Sequence, residues 1–147
     1  MQNNSPLGLL FVILLTMTDE RFEQLVSEAI ETIPEKFLRR LDNVAIVTAE
    51  RPSEEQLKQN DIPPGDTLLG LYEGIPLIER GEFYGAGEIL PDKITIFKEP
   101  ILEEAGGDDA KLKEVVRDTV WHEIAHYFGY DDHEIEEREE EGRNFST

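Results

Sequence analysis

His122-Glu123-Ile124-Ala125-His126-Tyr127-Phe128-Gly129-Tyr130-Asp131-Asp132 is the stretch around which the rest of the chain can be organised. Residues four apart in an α-helix stand on one face, one turn above each other, so His122 and His126 present two imidazoles side by side. That spacing suits two corners of a zinc tetrahedron. Glu123 lies about 100° round the helix from His122. It therefore stands beside such a metal rather than on it, where its carboxylate can take a proton from an activated water. The chain has no cysteine, so any metal must be held by nitrogen and oxygen donors. Its three histidines all fall within twelve residues. The bland alternative is a histidine cluster satisfied inside a core.

A third protein ligand is needed. Gly129 follows His126 by three residues, where a left-handed glycine commonly ends a helix and turns the chain back. Asp132 comes three residues later and offers an oxygen. His133, next to it, takes that place if the turn is one residue looser, and a residue upstream of the motif is the remaining option. A glutamate from a later helix is disfavoured, because Glu134 to Glu141 follow too closely to return to the metal. That acidic run reads as a solvated helix or a frayed tail.

The motif belongs to a helix expected from about Ala110 to Phe128. Leu112, Val116, Val120, Ile124 and Phe128 recur every four residues, and Val115 and Tyr127 widen the stripe, as in a helix buried against a core. Asp108 or Asp109 can cap it, after a flexible Ala105-Gly106-Gly107 connection. Upstream, Lys93-Ile94-Thr95-Ile96-Phe97 alternates as a half-buried strand does. Val44-Ala45-Ile46-Val47-Thr48 reads as a buried strand from its β-branched content. Leu68–Tyr72 and Ile75–Glu79 predict two more strands joined at Glu73-Gly74. Glycines 81, 85 and 87 form a loop whose spacing matches no phosphate-binding fingerprint. Phe22, Leu25, Val26, Ala29, Ile30 and Ile33 predict an amphipathic helix over 19–33. Pro34 stops it and can open a short second helix carrying Phe37, Leu38 and Leu41. Ser53 with Gln56 is a capping-box pattern for a helix reaching about Gln59.

With 147 residues the chain suits one domain, and 39% hydrophobic with 32% charged residues fits a globular protein. The formal net charge of −19 repels phosphate backbones and favours cations and basic peptides, so no nucleic-acid partner is expected. Leu7–Leu15 is nearly all apolar but too short for the roughly 20 residues that a bilayer span requires. It has no basic residue before it, as a secretory signal would. Met17 precedes Thr18-Asp19-Glu20, a good helix start. The expectation is an apolar leader at 1–16 outside the fold, a single domain at 17–147, a cytoplasmic location and no stable membrane association. An uncleaved anchor or export is the alternative if residues 1–16 are genuine.

The sequence resembles a small family of bacterial zincin-like metallopeptidases. The resemblance runs from about Phe22 onwards. It rests on Leu68-Leu69-Gly70-Leu71-Tyr72-Glu73-Gly74-Ile75-Pro76-Leu77, Pro91-Asp92-Lys93-Ile94-Thr95-Ile96-Phe97, and Asp118-Thr119-Val120-Trp121-His122-Glu123-Ile124-Ala125-His126-Tyr127-Phe128-Gly129. It implies an α+β minimal zincin fold, a small mixed β-sheet packed against the active-site helix and N-terminal helices. It also implies a chain starting near Met17, with an aspartate, Asp132, as third ligand. Met1 and Met17 both precede the motif, so the methionine turn of larger metzincins is missing.

The expected activity is hydrolysis of peptide bonds in a peptide or protein substrate, with one zinc per chain on His122, His126 and Asp132. Glu123 is the expected general base. Tyr130, Tyr84 and His133 are candidate oxyanion donors. By resemblance the substrate lies along residues 93–98 as an edge strand. Gly129-Tyr130-Asp131-Asp132-His133 also looks like the motif end of bacterial rRNA-maturation endoribonucleases. An extra residue before His133, the presence of Glu123 and the negative charge count against that reading. A zinc-stabilised binding module without catalysis is the third reading, and it would need a fourth protein ligand closing the metal.

Overall fold

The computed structural model describes residues 17–74 and 91–140. Helix α1 (Asp19–Glu31) starts where Thr18 Oγ1 accepts the Arg21 N–H at 3.0 Å. It buries Phe22, Leu25, Val26 and Ala29 along the long helix α5 (Asp109–Tyr127). After Pro34 a single turn, α2 (Glu35–Leu38), brings Phe37 against Trp121, ring centroids 6.3 Å apart. Ser53 and Gln56 form the expected capping box on α3 (Glu54–Gln59). Asp108 caps α5 by accepting the N–H groups of Ala110 and Lys111.

Three described strands form one mixed sheet in the order β1-β3-β2. Strand β1 (Val44–Ala49) runs parallel to β3 (Asp92–Phe97), and β2 (Gly70–Glu73) runs antiparallel to it. Ile94 and Ile96 of β3 enter the core beside Val116, Val120 and Ile124 of α5. This is the α+β arrangement expected, a small mixed sheet against the motif-bearing helix.

Several local expectations are corrected. Strand β3, read as half-buried and as an edge, is central, with every residue buried except Lys93. Its backbone is paired on both sides, so residues 93–98 cannot offer a free edge to a substrate. The strand also ends at Phe97, and Lys98 begins a helix. Conversely β1, read as buried, is an outer strand of the sheet among the described residues and is only partly buried, with Val47 39% exposed. Strand β2 starts at Gly70, two residues later than expected. The strand expected at Ile75–Glu79 and the glycine loop fall outside the described residues, as does the 1–16 leader.

Helix α4 (Lys98–Ala105) was not expected from the sequence. Lys98 is buried at its first position, its ammonium 3.1 Å from Asp19 and 3.9 Å from Glu50, which joins α1, β1 and α4. Tyr127, fully buried at the other end of α5, accepts the Asp42 N–H at 2.7 Å and fixes the chain entering β1. Among the described residues no helix is long and apolar enough to cross a membrane.

Thr95 carries a cost. Its hydroxyl is buried in β3 and finds no hydrogen-bond partner among the described residues. A buried unsatisfied group costs about 1–3 kcal/mol, whereas an apolar group of the same shape does not. Thr95→Val is therefore expected to raise stability by about 1 kcal/mol in denaturant unfolding.

Candidate metal centre

Helix α5 brings His122, Glu123 and His126 to one wall of a cleft of about 670 Å3. The opposite wall is the chain leading into and through β2, from Leu68 to Tyr72. The helix ends after Tyr127, and Gly129 takes the left-handed conformation, φ 97°, that the turn requires. Gly129 N–H bonds to the His126 carbonyl at 2.9 Å and Tyr130 N–H to that of Ala125 at 3.1 Å. The chain then reverses into α6 (Asp132–Glu140), whose first residue returns to the histidines.

Asp132 Oδ1 lies 3.3 Å from His122 Nε2 and 3.0 Å from His126 Nε2. The three donor atoms all fall within 4.8 Å of one another. Zinc with nitrogen and oxygen bonds of roughly 2.0–2.1 Å sets tetrahedral donors about 3.3–3.5 Å apart, close to the two histidine–aspartate separations. Proton bookkeeping supports the fit. His126 Nδ1 is 3.0 Å from the Tyr130 carbonyl, a bond that requires Nδ1 to carry hydrogen. In a neutral ring Nε2 is then a lone pair facing a carboxylate oxygen, which is repulsive unless a cation or proton lies between them. The Tyr130 carbonyl thus sets the ring and its tautomer, as outer partners of metal-bound histidines commonly do.

Glu123 is placed differently. It is buried, 6% exposed, and turned towards β2 rather than into the donor cluster. Burial pushes its carboxyl from the ordinary 4.5 up to about 8, the nearby Asp132 charge adds to the rise, and a backbone N–H from Tyr72 partly opposes it. A divalent cation on the neighbouring donors would favour the ionised form.

The approach of β2 depends on Gly70. A Cβ there would lie 2.8 Å from Thr119 Cγ2, so that something must shift, and 3.1 Å from Glu123 Cγ, a tight contact that the carboxylate side chain would have to relieve. Glycine at this position lets the strand backbone sit against the carboxylate. Neither Gly70 nor the two backbone groups on Glu123 and His126 was singled out from the sequence. The usable signal was a glycine inside an apolar strand pattern, which marks a close backbone approach.

Residues 41–142, well over half the chain, match the family model for zincin-like metallopeptidases. The chain belongs to that family. A search of curated proteins finds no match. Other candidates of this zincin-like chain are not brought to the cluster. His133 is exposed, its Nε2 3.6 Å from Glu137. Tyr130 lies beneath the Arg138 guanidinium, 5.0 Å from the ring centroid, and lines a different pocket. Tyr84 falls outside the described residues. The Tyr72 hydroxyl is engaged with the Asp92 carboxylate.

Proposed function

We infer that this zincin-like chain is a zinc-dependent peptidase in which His122, His126 and Asp132 hold one ion and Glu123 is the general base. The observation that carries the reading is the convergence of two imidazole nitrogens and one carboxylate oxygen, with a buried carboxylate outside that trio. Zinc, when bound, would supply Lewis acidity towards water and towards the scissile carbonyl. Three protein donors leave a position open, which suits catalysis better than a closed structural site.

Glu123 accepts a proton from the attacking water as its oxygen bonds to the carbonyl carbon. It then delivers that proton to the amide nitrogen as the C–N bond breaks, and the water's other proton stays on the new carboxyl group, yielding a carboxylic acid and an amine. Tyr72 N–H holds the carboxylate in place through both transfers. An extended peptide lies in the cleft against β2, the outer strand on that wall among the described residues. The substrate is a peptide or protein and not a nucleic acid, in keeping with the net charge of −19. The ribonuclease alternative needs His133 at the metal, and His133 stands apart from the donors. The protein acts in the cytoplasm without stable membrane association.

The test is a peptide-library digest read by mass spectrometry. Zinc-loaded protein is expected to generate new amino termini, chelation to stop this, and added zinc to restore it. Cleavage that survives complete metal removal would refute the reading.

A further inference from the structure

Asp132 is an unusual ligand candidate because little holds its side chain. It is 78% exposed, and its described contacts are the two histidine nitrogens. Its position must therefore come from the backbone of α6. That helix is highly acidic, with Glu134, Glu136, Glu137, Glu139 and Glu140 against one Arg138, so its own charge gives no reason to lie beside another carboxylate. Something else has to seat it.

Among the described side chains of α6, Ile135 alone is buried, at 3% exposure. Together with Phe37 of α2, Trp121, Ile124 and Phe128 it lines an apolar cavity of about 40 Å3. Ile135 is three residues from Asp132, and one helical turn links them rigidly. The turn is closed by Asp131 and Glu134. The Glu134 N–H donates to Asp131 Oδ1 at 2.8 Å, and the Asp131 N–H to Glu134 Oε1 at 3.3 Å, a reciprocal capping box.

We propose that Ile135 is the positioning residue for Asp132: its burial beside the apolar cavity that it lines with Trp121 and Phe37 holds α6 so that the carboxylate completes the metal site. This rests on the zinc reading of the trio. By linkage, zinc then favours the seated helix as much as the seated helix favours zinc. The same pocket holds Trp121, the sole tryptophan of the chain, so its emission reports whether α6 is seated.

The experiment is zinc titration of the full chain, Ile135→Ala, Ile135→Val, Asp132→Ala and the double variant, read by chelator competition and tryptophan emission. Ile135→Ala should weaken zinc roughly 10- to 100-fold, the range for changes to outer-shell support. Ile135→Val should stay near the parent. The double variant should bind no more weakly than Asp132→Ala, because the two residues act as one unit. In the parent, zinc should shift Trp121 emission, and saturating zinc on Asp132→Ala should not. This last comparison stands even where Ile135→Ala fails to fold.

Parent-like zinc affinity in Ile135→Ala, losses that simply add in the double variant, or an equal emission shift in Asp132→Ala would each overturn the proposal while leaving the zinc site intact. A parent chain that binds no zinc would overturn the metal reading itself.

Discussion

Glu123→Gln is expected to bind one zinc per chain as the parent does and to cleave peptides roughly 10²- to 10⁴-fold more slowly, the range that proton transfer by a placed side chain contributes. Glutamine keeps the shape and can still accept the Tyr72 N–H, and Glu123 is outside the donor cluster. What it loses is proton transfer. The substitution should also act on the metal-free fold. A carboxyl at about 8 in the folded chain and near 4.5 in the unfolded one binds its proton more tightly when folded. Its stabilising contribution is complete below pH 4.5 and is lost as pH rises through 8. Metal-free parent should therefore lose thermal stability relative to Glu123→Gln across that window, by more than about 4 °C. Melting curves at pH 5 and pH 8 check this, and parallel behaviour of the two proteins would count against a carboxyl whose proton is held by burial.

Asp132→Ala is expected to weaken zinc by more than about 100-fold, beyond what outer-shell changes usually cost. It removes the sole carboxylate donor in the trio. His133→Ala should leave zinc affinity unchanged, since its imidazole faces Glu137 and solvent. The pair separates the two third-ligand readings directly. A chelator-competition assay in which His133→Ala is the damaging change would reverse the assignment and revive the ribonuclease-like geometry.

The described helices other than α4, and the meeting of His122, His126 and Asp132, were legible because their signals are local. A histidine pair four apart, a glycine at the helix end and an aspartate three residues later are set by one helix and one turn. Capping at Thr18, Ser53 and Asp108 is likewise decided within three residues. Strand burial was misjudged because it depends on neighbours in space. Val44–Ala49 has the β-branched content of a buried strand but is an outer strand among the described residues. Lys93–Phe97 alternates Thr95 against isoleucines, yet it is central and buried on both faces, so Thr95 is enclosed as well. Helix α4 carries Pro100 in its first turn, where proline is tolerated, and is too short to show a clear apolar period in the sequence. The supports of the site, Tyr72 N–H, the Tyr130 carbonyl and Gly70, act through backbone, and side-chain identity does not announce them.

The most direct test of the account is zinc titration of the metal-free, folded chain with the metal content measured after dialysis. One tightly held zinc per chain is the predicted result. A folded chain that retains no zinc after replenishment would contradict the assignment of His122, His126 and Asp132 and remove the basis for the hydrolytic reading.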